Sequence, residues 1–169
     1  MIALVLIIIG IAGLMWSSKL AQKSDINPET LVANSHPART GNILTAEETF
    51  YDFGAISMKN GNVSKIFKVS NLSSQDINLE SVTTSCMCTT SYIIRENGSK
   101  SRPFGMPGHG GTVPKANEIV KAGKSLDIEV VFDPNAHGPA GVGFIERVVF
   151  LEDENKNIVE FKFRANVTP

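Results

Sequence analysis

Leu126-Asp-Ile-Glu-Val-Val-Phe132 carries an apolar residue at every second position and a carboxylate at two of the positions between them. Such alternation with a period of two is typical of a β-strand that has one buried face and one solvated face. Asp133-Pro134 follows at once and ends the run, because proline cannot donate a hydrogen bond to a neighbouring strand. The stretch therefore predicts a half-buried strand, and the same kind of pattern recurs along the chain.

Similar strand-forming stretches lie at residues 49–53, 63–69, 76–82, 89–94, 144–151 and 158–167. Turns rich in Asn, Gly, Pro and Ser separate them, and no clear amphipathic helical pattern interrupts the series. About seven short strands with this spacing are typical of a sandwich of the immunoglobulin type. We therefore predict an all-β fold, an immunoglobulin-like antiparallel β-sandwich of about seven strands over residues 46–167, with residues 154–157 as the last hairpin turn.

The N-terminus carries a separate apolar run that predicts a single hydrophobic helix ahead of the sandwich. Residues 2–16 contain no charge, and Lys19 follows them closely. At about 1.5 Å per residue, this run and its flank approach the ~30 Å thickness of a bilayer core. A cleaved signal peptide is the alternative, but no clean small-residue cleavage site follows the run. We expect residues 1–19 to be a membrane anchor or signal-anchor, which places the rest of the chain outside the cytoplasm.

Two further segments lack strand-like periodicity. Residues 20–45 carry Ser, Asn, Pro and His with few large apolar residues, which predicts a linker or stalk. Residues 95–122 form a loop rich in glycine and proline that is long for a sandwich. Long loops of this kind are usually functional or disordered.

Five short motifs follow one another in a fixed order through residues 46–167. They are Tyr51-Asp-Phe-Gly-Ala-Ile56, Phe67-Lys-Val-Ser-Asn71, Ser85-Cys-Met-Cys-Thr89, Ala122-Gly123 ahead of Phe132-Asp-Pro134, and residues 138–143 ahead of Phe144. In this order they resemble a bacterial family of immunoglobulin-like domains, known as domain of unknown function 1573 and akin to the ASPM–SPD-2–Hydin domains. The resemblance implies an exported sandwich, often anchored by a lipid or a helix, with no established reaction. Members usually carry glycine between the two cysteines, where this chain has Met87.

Cys86 and Cys88 are the only cysteines of the chain, and three interpretations of them stay open. Two residues at i and i+2 of an extended strand have Cα atoms ~6.5–7 Å apart, which is at or beyond the limit for a disulfide. A kinked strand end still allows that bond. Two thiolates on one side suit a soft metal ion such as Cu(I) or Zn(II). The third interpretation is a pair of small buried hydrophobic residues in the core.

Three residues of two loops add to the metal interpretation. Met106 and His109 stand three apart in the glycine-rich segment 103–111, and His137 lies in a second loop. Thioether and imidazole groups are copper ligands, and glycine lets the backbone wrap closely around an ion. If both loops and the end of the cysteine strand lie at one pole of the sandwich, Cys86, Cys88, Met106, His109 and His137 form a candidate copper site. The alternative is that Phe104 and Met106 cover the core while His109 lies in solvent.

Composition and motifs narrow the classes of function. The formal net charge of −1 gives no electrostatic reason to expect a nucleic-acid partner. No local signature of a serine hydrolase, β-lactamase or zinc protease occurs, so we expect no enzyme activity. The sequence predicts a non-catalytic, membrane-anchored extracytoplasmic domain that serves as a structural or protein-interaction module at the cell surface. The alternative is a protein that binds or delivers Cu(I). Thiol–disulfide exchange by the cysteine pair is a third option, which the absence of Cys-x-x-Cys spacing disfavours.

Overall fold

A computed structural model of the chain describes residues 43–109 and 112–169. This part contains nine strands and two short 3-10 helices, Met58–Asn60 and Gly138–Gly141. The strands are β1 (Leu44–Ala46), β2 (Phe50–Ser57), β3 (Val63–Asn71), β4 (Ile77–Thr84), β5 (Thr89–Ile94), β6 (Glu118–Val120), β7 (Ser125–Phe132), β8 (Gly143–Asp153) and β9 (Ile158–Thr168). None of the helices in the described ranges is long and apolar enough to cross a bilayer. The predicted helix at residues 1–19 and most of the predicted linker lie outside the described residues.

The strands form two sheets, as the alternation of apolar and polar residues predicts. The four-stranded sheet has the order β1-β3-β7-β5 and the five-stranded sheet has the order β2-β9-β8-β4-β6. Side chains of both sheets meet in one core, where the Phe67 ring of β3 stacks on the Phe161 ring of β9 with a centroid distance of 4.5 Å. The all-β prediction is therefore confirmed, and the architecture is a β-sandwich.

The strand count and one pairing differ from the prediction. Nine strands replace the predicted seven, because β1 and β6 are too short to show a periodic pattern of their own. The strand β1 begins at Leu44, inside the segment predicted as linker, and buries that leucine in the core. The strands β2 and β9 pair in parallel, so the prediction of a wholly antiparallel sandwich was wrong at this edge. Nearly the whole domain separates these two strands along the chain, which leaves ample length for a parallel connection.

The long loop after β5 is partly ordered against the sandwich rather than structureless throughout. Phe104 forms an isolated bridge with Ser91 of β5 and is buried in the core. The loop then contributes β6, which pairs with the edge of β4. The predicted hairpin turn at residues 154–157 is confirmed between β8 and β9.

Two chain crossings from one sheet to the other meet at the same end of the sandwich. The first joins β4 of the five-stranded sheet to β5 of the four-stranded sheet through residues 85–88. The second joins β7 to β8 through residues 133–142. Thr89 of β5 pairs with Phe132 of β7. The end of the first crossing therefore lies beside the start of the second. This topology brings the Cys86 turn and the His137 loop together.

Asn71 lies at the end of β3, at the end of the sandwich opposite the Cys86 turn. Its side chain links the turn after β3 to the strand β6. Its buried side chain donates to the carbonyl oxygens of Gln75 and Val120 and accepts hydrogen bonds from the backbone and hydroxyl of Ser73. Asn71→Ala removes the hydrogen bond to the buried Val120 carbonyl together with the bonds to Ser73 and Gln75, and an unsatisfied buried polar group costs about 1–3 kcal/mol. We expect a loss of about 2 kcal/mol or more in the free energy of unfolding, measured by urea denaturation. Asn62→Ala, at an exposed position, is the control and is expected to change stability by less than about 0.5 kcal/mol.

Candidate metal and redox site

The turn between β4 and β5 carries both cysteines and is tied down by backbone hydrogen bonds. The Thr89 amide donates to the Cys86 carbonyl at 3.1 Å, which closes the turn. The buried Thr84 hydroxyl lies 3.0 Å from the Cys86 carbonyl and 3.1 Å from the Thr89 carbonyl. Outside the turn, the Asp133 amide donates to the Cys88 carbonyl at 2.9 Å. The two cysteines are therefore held in a turn that is attached to the neighbouring β7–β8 connection.

Cys86 and Cys88 form a disulfide, one of the three interpretations left open by the sequence. Their Cα atoms are 5.3 Å apart, well within the range for such a bond. The expectation of a longer separation assumed an extended strand, and this assumption was wrong. The strand β4 ends at Thr84, and the chain bends before β5 begins at Thr89, so the two side chains approach each other.

His137 brings an imidazole to the same place. It directly precedes the second 3-10 helix, and its Nε2 atom lies 3.2 Å from the Cys86 Sγ atom. The two sulfurs and one ring nitrogen of His137 all lie within 4.8 Å of one another. Two soft sulfur donors and an imidazole match the preferences of Cu(I) and Zn(II). The loop that carries His137 is thus a source of a third donor beside the cysteines.

Arg147 on β8 supplies a positive charge that the sequence analysis missed. Its Nε–H donates to the Cys88 Sγ atom at 3.3 Å, and its Nη1 donates to the Glu146 carbonyl at 2.7 Å. The alternation along β8 offered a signal for this role, because Arg147 shares the inward-facing register of Ile145 and Val149. A guanidinium on an inward-facing position needs a partner, and here that partner is a cysteine sulfur.

The residues of the site differ in their exposure to solvent. Cys88 is 2% exposed and Cys86 is 9% exposed. Met87 between them is half exposed, and His137 is exposed. Cys86 is therefore the more exposed of the two cysteines, and Met87 and His137 are the exposed residues beside it.

The glycine-rich loop contributes less than the sequence predicted. Its Gly105 carbonyl accepts a hydrogen bond from the Thr84 amide at 3.2 Å, so the loop passes beside the strand that leads to Cys86. Met106 is half-buried, whereas His109 is exposed. Among the described residues, the close group of cysteine and histidine donors includes His137 and does not include His109. The exposure of His109 and the burial of Phe104 agree with the alternative in which this loop covers the core.

A comparison with known sequences matches part of the domain to a described family. A family model described as "Protein of unknown function (DUF1573)" matches residues 44–100, which include the whole cysteine turn. Over these residues the chain is similar to that family. The resemblance predicted from the order of short motifs is therefore confirmed, and the matched segment carries Met87 between its cysteines. No curated protein matches the chain.

Two solved structures are similar to this chain at low sequence identity. A protein of unknown function from Porphyromonas gingivalis W83 is 16% identical with a TM-score of 0.54, over 74% of this chain and 46% of the other. The secreted serine protease VesC from Vibrio cholerae is 12% identical with a TM-score of 0.45, over 75% of this chain and 24% of the other. This chain thus spans less than half the length of these two structures. The first similarity supports the fold alone.

Proposed function

We propose that this protein is a non-catalytic, membrane-anchored extracytoplasmic domain of the immunoglobulin type that binds Cu(I) through Cys86, Cys88 and His137. One observation carries the proposal: three donor atoms of soft or borderline character lie within 4.8 Å of one another at one end of the sandwich. The three side chains come from two chain crossings that are hydrogen-bonded to each other, and this attachment supports the proposal. Binding requires the reduced form, because a disulfide has no thiolate to offer.

The charge beside Cys88 favours a monovalent ion. Two thiolates and Cu(I) together carry one negative charge, which the Arg147 guanidinium balances. Two thiolates and Zn(II) are neutral, and Arg147 then remains as a positive charge without compensation beside a buried sulfur. Burying an unbalanced charge is costly in a site of low dielectric constant. The donor set admits both metals, and Arg147 supports Cu(I) over Zn(II).

The test is a titration of the reduced full-length chain in detergent with Cu(I), in competition with a calibrated chelator. We expect one Cu(I) per chain and a weaker response to Zn(II). Absence of Cu(I) binding above the chelator background would refute the proposal. Stronger binding of Zn(II) than of Cu(I), each relative to its own chelator, would refute the charge argument and leave a zinc site.

The two loop histidines form a matched pair of variants. His137→Ala removes a donor atom that lies 3.2 Å from the Cys86 sulfur, and we expect Cu(I) affinity to fall about tenfold or more. His109→Ala removes an exposed imidazole outside the close group, and we expect the affinity to stay unchanged. Both affinities are measured in the same competition titration. The reverse order would move the site to the glycine-rich loop and contradict the placement proposed here.

A second candidate function, the protein-interaction module, is favoured by an aromatic residue on β8. The Phe144 side chain is 87% exposed and lines a cleft of about 370 Å³ together with Asp52, Ala55 and Arg164. Exposed aromatic residues beside an arginine are enriched at protein interfaces. If the domain recognises a surface protein here, Phe144→Ser should abolish binding measured by pull-down from its own membrane fraction. The control Leu72→Ser changes an exposed residue in the turn after β3, and equal binding by both variants would remove this candidate.

A further inference from the structure

The two sulfurs of the Cys86–Cys88 disulfide have different surroundings. Cys86 is the more accessible sulfur and lies beside the exposed His137 ring. Cys88 is almost fully buried and accepts the Nε–H hydrogen bond of Arg147 at 3.3 Å. One end of the bond thus lies beside an exposed imidazole and the other lies beside a positive charge. Thiol–disulfide exchange is fastest when the attacked sulfur is accessible and the leaving sulfur is stabilised as a thiolate.

We propose that Cys86–Cys88 is a thiol–disulfide exchange couple in which Cys86 is the attacked sulfur and Cys88 is the leaving sulfur. The reaction partner is a thiol, supplied either by a small molecule or by the dithiol of a protein. The exchange is stoichiometric, so the domain stores or passes on electrons without turning over a substrate. This role goes beyond metal binding, because it requires no ion.

The exchange proceeds in two balanced steps. An external thiolate attacks the Cys86 Sγ atom, forms a mixed disulfide with it, and breaks the bond to Cys88, whose sulfur leaves as a thiolate beside Arg147. A second external thiolate then attacks the external sulfur of the mixed disulfide and releases the Cys86 thiolate. The products are two protein thiols and one external disulfide. Two electrons pass from the external thiols to the protein, and the protons exchange with solvent.

Arg147 biases this couple toward the reduced form. In the oxidised chain its guanidinium faces a neutral sulfur, whereas after reduction it faces a thiolate. A hydrogen bond to a charged acceptor is about twice as strong as one between neutral groups. The reduced form therefore gains more from Arg147 than the oxidised form does. Arg147 is a positioning and charge-balancing residue for Cys88 in this account.

The couple also controls metal binding, and this consequence rests on the proposed Cu(I) function. Both thiolates that would hold Cu(I) are absent while the disulfide is closed. An external thiol that opens the bond creates the binding site, and an oxidant that closes it removes the site. Release and uptake of the ion would then follow the redox state of the surrounding compartment.

The first test measures the redox equilibrium of the full-length chain in detergent without metal. The chain is equilibrated in mixtures of reduced and oxidised dithiothreitol, and its free thiols are counted by mass spectrometry after alkylation. We expect zero thiols at the oxidising end, two at the reducing end, and no stable population with one. Two free thiols throughout the range would overturn the proposal. Absence of Cu(I) binding by the fully reduced chain would refute only the proposed function and would not affect the proposed thiol–disulfide couple.

The matched variants Arg147→Met and Arg147→Lys distinguish the effect of the positive charge from the effect of the packed side chain. Arg147→Met removes the charge, and we expect the equilibrium constant for reduction to fall about tenfold, a shift of ~30 mV for a two-electron couple. Arg147→Lys keeps the charge without the fixed Nε–H, and an intermediate value is expected. A purely structural role for Arg147 would lower the melting temperature and leave the equilibrium constant unchanged, which would overturn the assignment of Arg147.

Single-cysteine variants test which sulfur is attacked. Cys86 is the remaining thiol in Cys88→Ser, and we expect it to react with a small aromatic disulfide about tenfold or more faster than Cys88 does in Cys86→Ser. The opposite order would overturn the assignment of the two sulfurs. Reduction of the wild-type chain by free cysteine and by a reduced Cys-x-x-Cys protein then distinguishes the two sources of thiol. Failure of both to open the bond would overturn the exchange proposal.

Discussion

The double variant Cys86→Ser/Cys88→Ser is expected to lose Cu(I) binding completely within the range of the chelator competition. Both sulfurs belong to the close donor group, and the hydroxyl groups that replace them are hard donors with little preference for Cu(I). Changing a residue that only supports a metal ligand typically costs about 10–100-fold in affinity. Loss of both anionic ligands should therefore exceed about a hundredfold.

The fold of the double variant should survive, which makes the result interpretable. The turn is also held by the hydrogen bond from the Thr89 amide to the Cys86 carbonyl and by the Thr84 hydroxyl, and serine preserves these contacts. An unchanged far-ultraviolet circular dichroism spectrum serves as the control. Persistence of one-to-one Cu(I) binding in this variant would place the metal elsewhere and contradict the account.

Phe161→Ala is expected to lower the free energy of unfolding by about 3–5 kcal/mol. Phe161 is fully buried on β9, and its ring stacks on Phe67 of β3 with an angle of 11° between the ring planes. The variant removes this ring contact between the two sheets and leaves a cavity that the packed strands close only in part. Such a loss is a large share of the stability of a domain of this size, so the unfolding midpoint in urea should fall sharply.

The matched control for this prediction is Phe144→Ala. It removes the same side chain from a strand of the same sheet, at a position that is 87% exposed. We expect a change in the free energy of unfolding of less than about 0.5 kcal/mol. Equal destabilisation by the two variants would mean that Phe161 does not lie in a packed core between the sheets.

Most of the fold was predictable because strand periodicity is a local property of the sequence. The predicted stretch at residues 89–94 coincides with β5, and those at 126–132 and 158–167 differ from β7 and β9 by a single residue at one end. The strands β1 and β6 were missed because three residues are too few to display alternation. The parallel pairing of β2 with β9 depends on where distant strands meet, which no local pattern encodes.

The candidate site was predictable in its residue types and only partly in its arrangement. Cys86 and Cys88 stood out by composition, but their approach depends on a turn that interrupts the alternation after Thr84. The choice of His137 over His109 depends on two chain crossings meeting at one end of the sandwich. Arg147 was overlooked, although its inward register on β8 marked it as a charge in need of a partner.

The most direct measurement of the central claim is X-ray absorption at the copper edge of the reduced full-length chain loaded with one equivalent of Cu(I). We expect two sulfur neighbours and one imidazole nitrogen, all at about 2.0–2.3 Å, with the nitrogen lost in His137→Ala. A first shell of three sulfurs would put Met106 in place of His137. A shell of only nitrogen and oxygen would contradict the proposed binding of Cu(I) by Cys86 and Cys88.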